Sequence, residues 1–112
     1  MLIDRNNSLS AMASLMDAIH DRWFDLSDIS FSEPTREFVL YYGERKQEPH
    51  EKRLKVRGVT RLHLWDEARI GTYDINEILV DVKSGRITVT SGFPLKIELE
   101  LDEDWEIILE TP

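Results

Sequence analysis

One pattern occurs twice in this chain, without a gap, and it constrains the fold more than any other feature. Residues 24–43 read FDLSDISFSEPTREFVLYYG and residues 73–92 read YDINEILVDVKSGRITVTSG. Phe24 aligns with Tyr73, Asp25 with Asp74, Leu26 with Ile75, Ser27 with Asn76, Asp28 with Glu77 and Ile29 with Ile78. Both stretches close on glycine, Gly43 and Gly92, and a similar strand start follows each: Leu54-Lys55-Val56 and Leu95-Lys96-Ile97. Amphipathic hairpins of equal length share an apolar pattern because side chains alternate between faces. The shared Asp–apolar–polar–acid–Ile opening is more specific than alternation requires. The spacing predicts one β-hairpin unit used twice, which describes a scaffold rather than a reaction centre.

Around the two units the chain reads as an α+β domain. Residues 1–7 are polar and are expected to fray. Ser8 is a fitting N-cap. Leu9, Met12, Met16, Ile19 and Trp23 follow at steps of three and four, which draws one stripe down a helix over about residues 8–23. Residues 28–110 read as about seven strands: Ile29 and Phe31, Phe38–Tyr42, Leu54–Val56, Val59–Trp65 bent at Gly58, Ile78–Val82, Ile87–Thr90 and the alternating run from Leu95 to Leu101. A turn at Asp102–Asp104 then leads to a last strand at Trp105–Leu109. The expected architecture is one N-terminal helix on a curled antiparallel sheet or two-layer β-structure. All 112 residues form a single domain in this reading.

Composition narrows the function classes. The chain has no cysteine, which removes disulfides, thiolate zinc sites and cysteine nucleophiles. No apolar run approaches the roughly 20 residues that span a bilayer, and the N-terminus lacks a basic start followed by an apolar block. A cytoplasmic protein is expected. The net charge of −8 opposes nucleic-acid binding unless cations cluster. Arg45, Lys46, Lys52, Arg53, Lys55, Arg57 and Arg61 do fall in one stretch, but Glu44, Glu48 and Glu51 interleave with them and dilute the field.

Several residues invite chemistry. Asp17, His20 and Asp21 sit three and four apart on one helix and could hold a divalent metal, although two of them belong to its wet face. Asp25 and Asp74 head the two hairpins and could form paired carboxylates in one cleft. The simpler reading has each accepting backbone N–H groups two or three residues on. The glycines are dispersed, no phosphate cradle exists and no nucleophile elbow is present, so no catalytic residue and no cofactor is assigned. Glu98, Glu100 and Asp102 line one strand face and could steer a basic partner. Trp65 and His63 are further protein-binding candidates, since an exposed aromatic is a natural anchor.

The order of elements resembles a broad set of small bacterial proteins, some of them associated with toxin–immunity systems. The resemblance rests on Asp25 with Ile29 at the opening, a hairpin, and Val56, Val59 and Leu62 within LKVRGVTRLHL. It implies a non-catalytic, antitoxin-like protein that binds another protein. The expected function is therefore a protein-binding module. The alternatives are a small-ligand or metal-binding domain lined by Asp17, His20, Asp21 and Asp25, and a homo-oligomeric structural module.

Overall fold

The computed structural model describes residues 1–47 and 49–110. Glu48, one of the acids within the basic stretch, lies outside them. The elements run β1 (Leu2–Asp4), α1 (Ser8–Ile19), β2 (Trp23–Asp25), a 3₁₀ turn (Leu26–Asp28), β3 (Ile29–Ser32), β4 (Glu37–Tyr42), β5 (Lys52–Asp66), β6 (Thr72–Asp74), β7 (Glu77–Asp81), β8 (Arg86–Thr90) and β9 (Leu95–Glu110). The α+β class holds. Seven strands make one open antiparallel sheet in the order β3-β4-β5-β9-β8-β7, with β1 beside β9, and β2 pairs with β6 separately.

The repeat is visible in the pairing. In the first hairpin Ile29 lies opposite Leu40 and Phe31 opposite Phe38; in the second Ile78 lies opposite Val89 and Val80 opposite Ile87. These are the aligned positions, pair for pair. The two openings also meet each other, because Phe24 pairs directly with Tyr73 across β2 and β6. The strand order thus reads alike from both ends, with β5 against β9 in the middle. The strand that follows each hairpin needs one correction. Leu40 faces Leu54, whereas its counterpart Val89 faces Ile97. Leu54 therefore corresponds to Ile97, not to Leu95. An even shift keeps the same residues on the same face, which is why the alternation pattern could not reveal it.

One face of the sheet is apolar. Phe38, Leu40, Leu54, Val56, Ile87, Ile97 and Leu99 are buried there. Phe24, Tyr73 and Ile75 from the β2–β6 region, with Leu15 and Ile19 from α1, complete the same core. The alternate residues of β5, β8 and β9 form an outer face carrying charges of both signs.

Several expectations are revised. The helix stops at Ile19, not near residue 23. Asp21 turns the chain with φ +62°, Asp21 N–H donates to Ile75 O at 2.8 Å, and Ile75 N–H donates to Arg22 O at 2.7 Å. Pairing with the second unit therefore overrides helix propensity and makes residues 23–25 a strand. The buried stripe of α1 is Ser8, Leu15 and Ile19, backed by Met12 and Met16, while Leu9 is 95% exposed. The N-cap is Asn7, not Ser8.

Residues 1–7 are not frayed: Ile3 is fully buried opposite Ile107. Asp4 Oδ1 accepts from Asn6 and Asn7 N–H, and Asn7 Oδ1 accepts from Asp4 N–H, so a closed turn ties β1 to the helix. The turn expected at residues 102–104 is a bulge inside β9, which runs from Leu95 to Glu110: the register with β5 jumps from Val59–Leu101 to Arg57–Glu106, and Asp104 N–H donates to Asp102 Oδ1. Val82 falls beyond β7. Among the described residues no helix is long and apolar enough to cross a membrane.

Candidate binding surfaces

The heads of the two units are built differently. In the second unit Asp74 Oδ1 accepts from Ser91 Oγ at 2.6 Å and from Gly92 N–H at 2.9 Å, while Ser91 Oγ accepts from Phe93 N–H. In the first, the longer loop after Gly43 delivers His50. Its Nδ1 lies 2.7 Å from Asp28 Oδ2 and 3.7 Å from Asp25 Oδ2, and its Nε2 lies 3.2 Å from Arg45 O. Thr72 Oγ1 donates to Asp25, and Asp25 N–H donates to Asp28 Oδ2 at 2.8 Å. Gly43 makes room for this: a Cβ there would lie 2.9 Å from His50 Cδ2.

Asp25 and Asp74 lie on the same face of the β2–β6 ribbon, opposite Thr72 and Trp23 respectively. Each is held by its own donors, and those of Asp74 come from 17 and 18 residues on rather than two or three. Sequence reasoning missed His50. The available signal was its position in the loop where the two units differ in length.

With both ring nitrogens facing acceptors, His50 is placed as an imidazolium. Burial alone would lower its pKa. The hydrogen bond to Asp28, the Arg45 carbonyl and the charges of Asp28 and Asp25 outweigh that, so the pKa stands above the ordinary imidazole value. The folded pKa exceeds the unfolded one. The stabilisation is therefore complete below the unfolded value, near 6.5 for a free imidazole, and is lost as pH rises through the folded pKa. Urea titrations should show stability falling from pH 6 towards pH 9, with the His50→Gln protein showing a flatter profile. An equal slope in both proteins would remove His50 as the cause.

The metal candidates are redistributed. His20 Nδ1 sits 2.7 Å from Asn76 O, and its Nε2 is 3.5 Å from the exposed Asp21. Asp17, His20 and Asp21 form no ligand cluster. Among the described residues, the one group with metal-ligand spacing is Asp25, Asp28 and His50, whose ligand atoms lie within 4.8 Å of one another. His50 Nδ1 and Asp28 Oδ2 stand at hydrogen-bonding distance, 2.7 Å.

The outer sheet face also departs from expectation. Glu98 and Glu100 are not a free acidic ladder. Arg86 lies 3.9 Å from each, Lys96 reaches Glu98 at 4.0 Å, and Arg61 and His63 reach Glu100 at 3.9 and 3.6 Å. Asp102 is bound by Arg36 at 3.2 Å and accepts from Asp104 N–H. Most of the basic stretch is matched likewise: Lys52 with Glu44, Arg53 and Lys55 with Glu110, and Arg57 with Glu37. Apart from Lys96 with Glu98, Lys52 with Glu44 and Arg36 with Asp102, these partners sit on adjacent strands, so period-two reading along one strand could not show their cancellation.

What remains conspicuous is aromatic. Of the three tryptophans, Trp105 is buried, Trp23 half-buried and Trp65 exposed. Trp65 stacks on His63 with ring centres 5.6 Å apart, and Lys96 Nζ lies 4.4 Å from its ring centre. Trp65, Phe93, Pro94 and Lys96 line a hollow of about 380 Å³. The sequence candidates His63 and Trp65 are therefore brought together, while Glu98, Glu100 and Asp102 are engaged by neighbours.

No protein-family model matches the chain, and no curated protein or solved structure matches it significantly.

Proposed function

We propose that the protein is a non-catalytic protein-binding module, with inhibition of a toxin-like partner the biological setting that the sequence resemblance suggests. The observation that supports this most is the preorganised aromatic platform at the end of β5. Trp65 is 44% exposed yet held between His63 and Lys96, so its rotamer is largely fixed before any partner arrives. Phe93 and Pro94 widen the apolar area around it. Anchors of this kind, rimmed by polar groups, concentrate binding energy, and pre-ordering lowers the entropic cost of docking. Steering by the acidic ladder contributes less than sequence suggested, because its charges are compensated locally.

Trp65→Ala should weaken capture of the partner from the native host by at least about thirtyfold, as expected for an anchor contributing about 2 kcal/mol or more. Its folding stability should change by only about 0.5 kcal/mol. Quantitative pull-down beside urea denaturation checks both. Full recovery with the Trp65→Ala bait would remove the platform as the docking site.

A further inference from the structure

The two halves of the sheet are not finished alike. Val56 lies opposite Phe38, and Leu99 lies opposite Ile87, the residue matching Phe38 in the second unit. Val56 and Leu99 are therefore counterparts. Across the central pair Val56 faces Ile107 and Leu99 faces Leu62, so Ile107 and Leu62 are counterparts as well. Ile107 has a strand on its other side, where Ile3 of β1 lies opposite it and both are fully buried. Leu62 has none. The pairing of β4 with β5 ends at Arg57, and from Thr60 to Asp66 only β9 pairs with β5 among the described residues. That edge contains neither proline nor lysine, two of the devices that usually block an open strand.

We propose that this open slot accepts an extended segment of a partner protein as an added antiparallel strand, with an apolar residue opposite Leu62 and an acidic residue opposite Arg61. The proposal rests on the protein-binding reading above and gives it a geometry. The chain supplies its own template in β1, where Leu2, Ile3 and Asp4 lie opposite Ile108, Ile107 and Glu106. Carried to the counterpart positions, that register sets an apolar residue against Leu62 and an acid against Arg61. In β1 itself the acid faces another acid, Glu106, so the charge match is better in the empty slot. Arg61 is available for it: its side chain is 68% exposed and approaches Glu100 only to 3.9 Å. Unpaired backbone groups along the edge would supply affinity, and the alternating side chains selectivity.

The probe is a synthetic peptide of residues 1–7, MLIDRNN, added to the full chain and followed by amide hydrogen exchange. Saturating peptide should slow exchange within residues 60–66 by about tenfold, as an added strand protects amides that were open. N-methylation at alternate residues should abolish the effect in one phase and spare it in the other, because only every second N–H of an added strand faces its neighbour. Arg61→Glu should weaken the peptide, and a peptide with Lys in place of its Asp should recover binding to that variant. Absence of protection at 60–66, or protection confined to residues 106–110 through displacement of β1, overturns the proposal. So does protection that rises with protein concentration alone, with light scattering reporting a dimer, since a second copy would then fill the slot. If Trp65→Ala abolishes partner capture while the peptide gives no protection, the aromatic surface stands and strand addition falls.

Discussion

Replacing Phe24 with alanine is expected to remove about 3–5 kcal/mol of folding stability, the range for deleting a buried aromatic side chain. Phe24 is fully buried, and its ring centre lies 5.9 Å from that of Tyr73, its partner across β2 and β6. This pair is where the two units touch through matched residues. Loss of the ring leaves a void between a two-stranded ribbon and the main sheet, and a ribbon that short contributes little stability of its own. A domain of this size has only about 5–15 kcal/mol in total, so the melting temperature should fall by on the order of 15 °C. Leu79→Ala is the comparison, since Leu79 is 55% exposed and its truncation should cost about 0.5 kcal/mol or less. If urea denaturation gives similar losses for the two variants, the β2–β6 ribbon is not a fixed part of the core.

The counterpart Tyr73 shows how the second unit adapts the same position. Its hydroxyl donates to Asp66 and accepts from Ile70 N–H at 3.2 Å. Burial, followed by the hydrogen bond to Asp66, raises the tyrosine pKa. The polar tip fixes the turn that leads from β5 into the second unit. In the first unit the corresponding work is done by His50 against Asp25 and Asp28. The ring positions are shared, and the polar groups around them are not.

Much of the architecture was legible because period-two alternation and turn residues act locally. The helix start, both hairpins and the bend at Gly58 follow from residues within a few positions of each other. The misreadings share one cause. Residues 23–25 continue a helical stripe on paper, yet their backbone is claimed by β6, nearly fifty residues away. Residues 1–7 look polar and loose, yet Ile3 alone fills a place beside Ile107. Glu98 and Glu100 read as a free acidic row because Arg61, Arg86 and His63 reach them from two neighbouring strands. Of the site residues, His63 and Trp65 were legible as alternating outward positions on one strand. His50 was not, because nothing in its local sequence says that it turns towards Asp28.

Gly58→Ala should be the most costly change on the sheet surface, and it tests whether the long central strands can relax. Gly58 sits at the register shift between Arg57 and Val59, with φ +83°. An L-residue in that region loses about 1–2 kcal/mol from backbone sterics alone. The added methyl would also meet Asp102 Oδ1 at 2.5 Å and Trp105 Cα at 2.9 Å. Neither neighbour yields readily: Asp102 is tied to Arg36 and to Asp104 N–H, and the Trp105 contact is backbone beside a buried side chain. Overpacking of this kind adds about 1–3 kcal/mol. Gly71→Ala separates the two costs, because Gly71 has φ +85° but nothing within 4 Å of an added Cβ. Gly71→Ala should therefore show the conformational cost alone, and Gly58→Ala about twice that or more in urea denaturation. Equal losses would mean that β9 shifts away from the methyl. The bulge would then be a hinge between the two units rather than the rigid joint that holds the open edge of β5 in place.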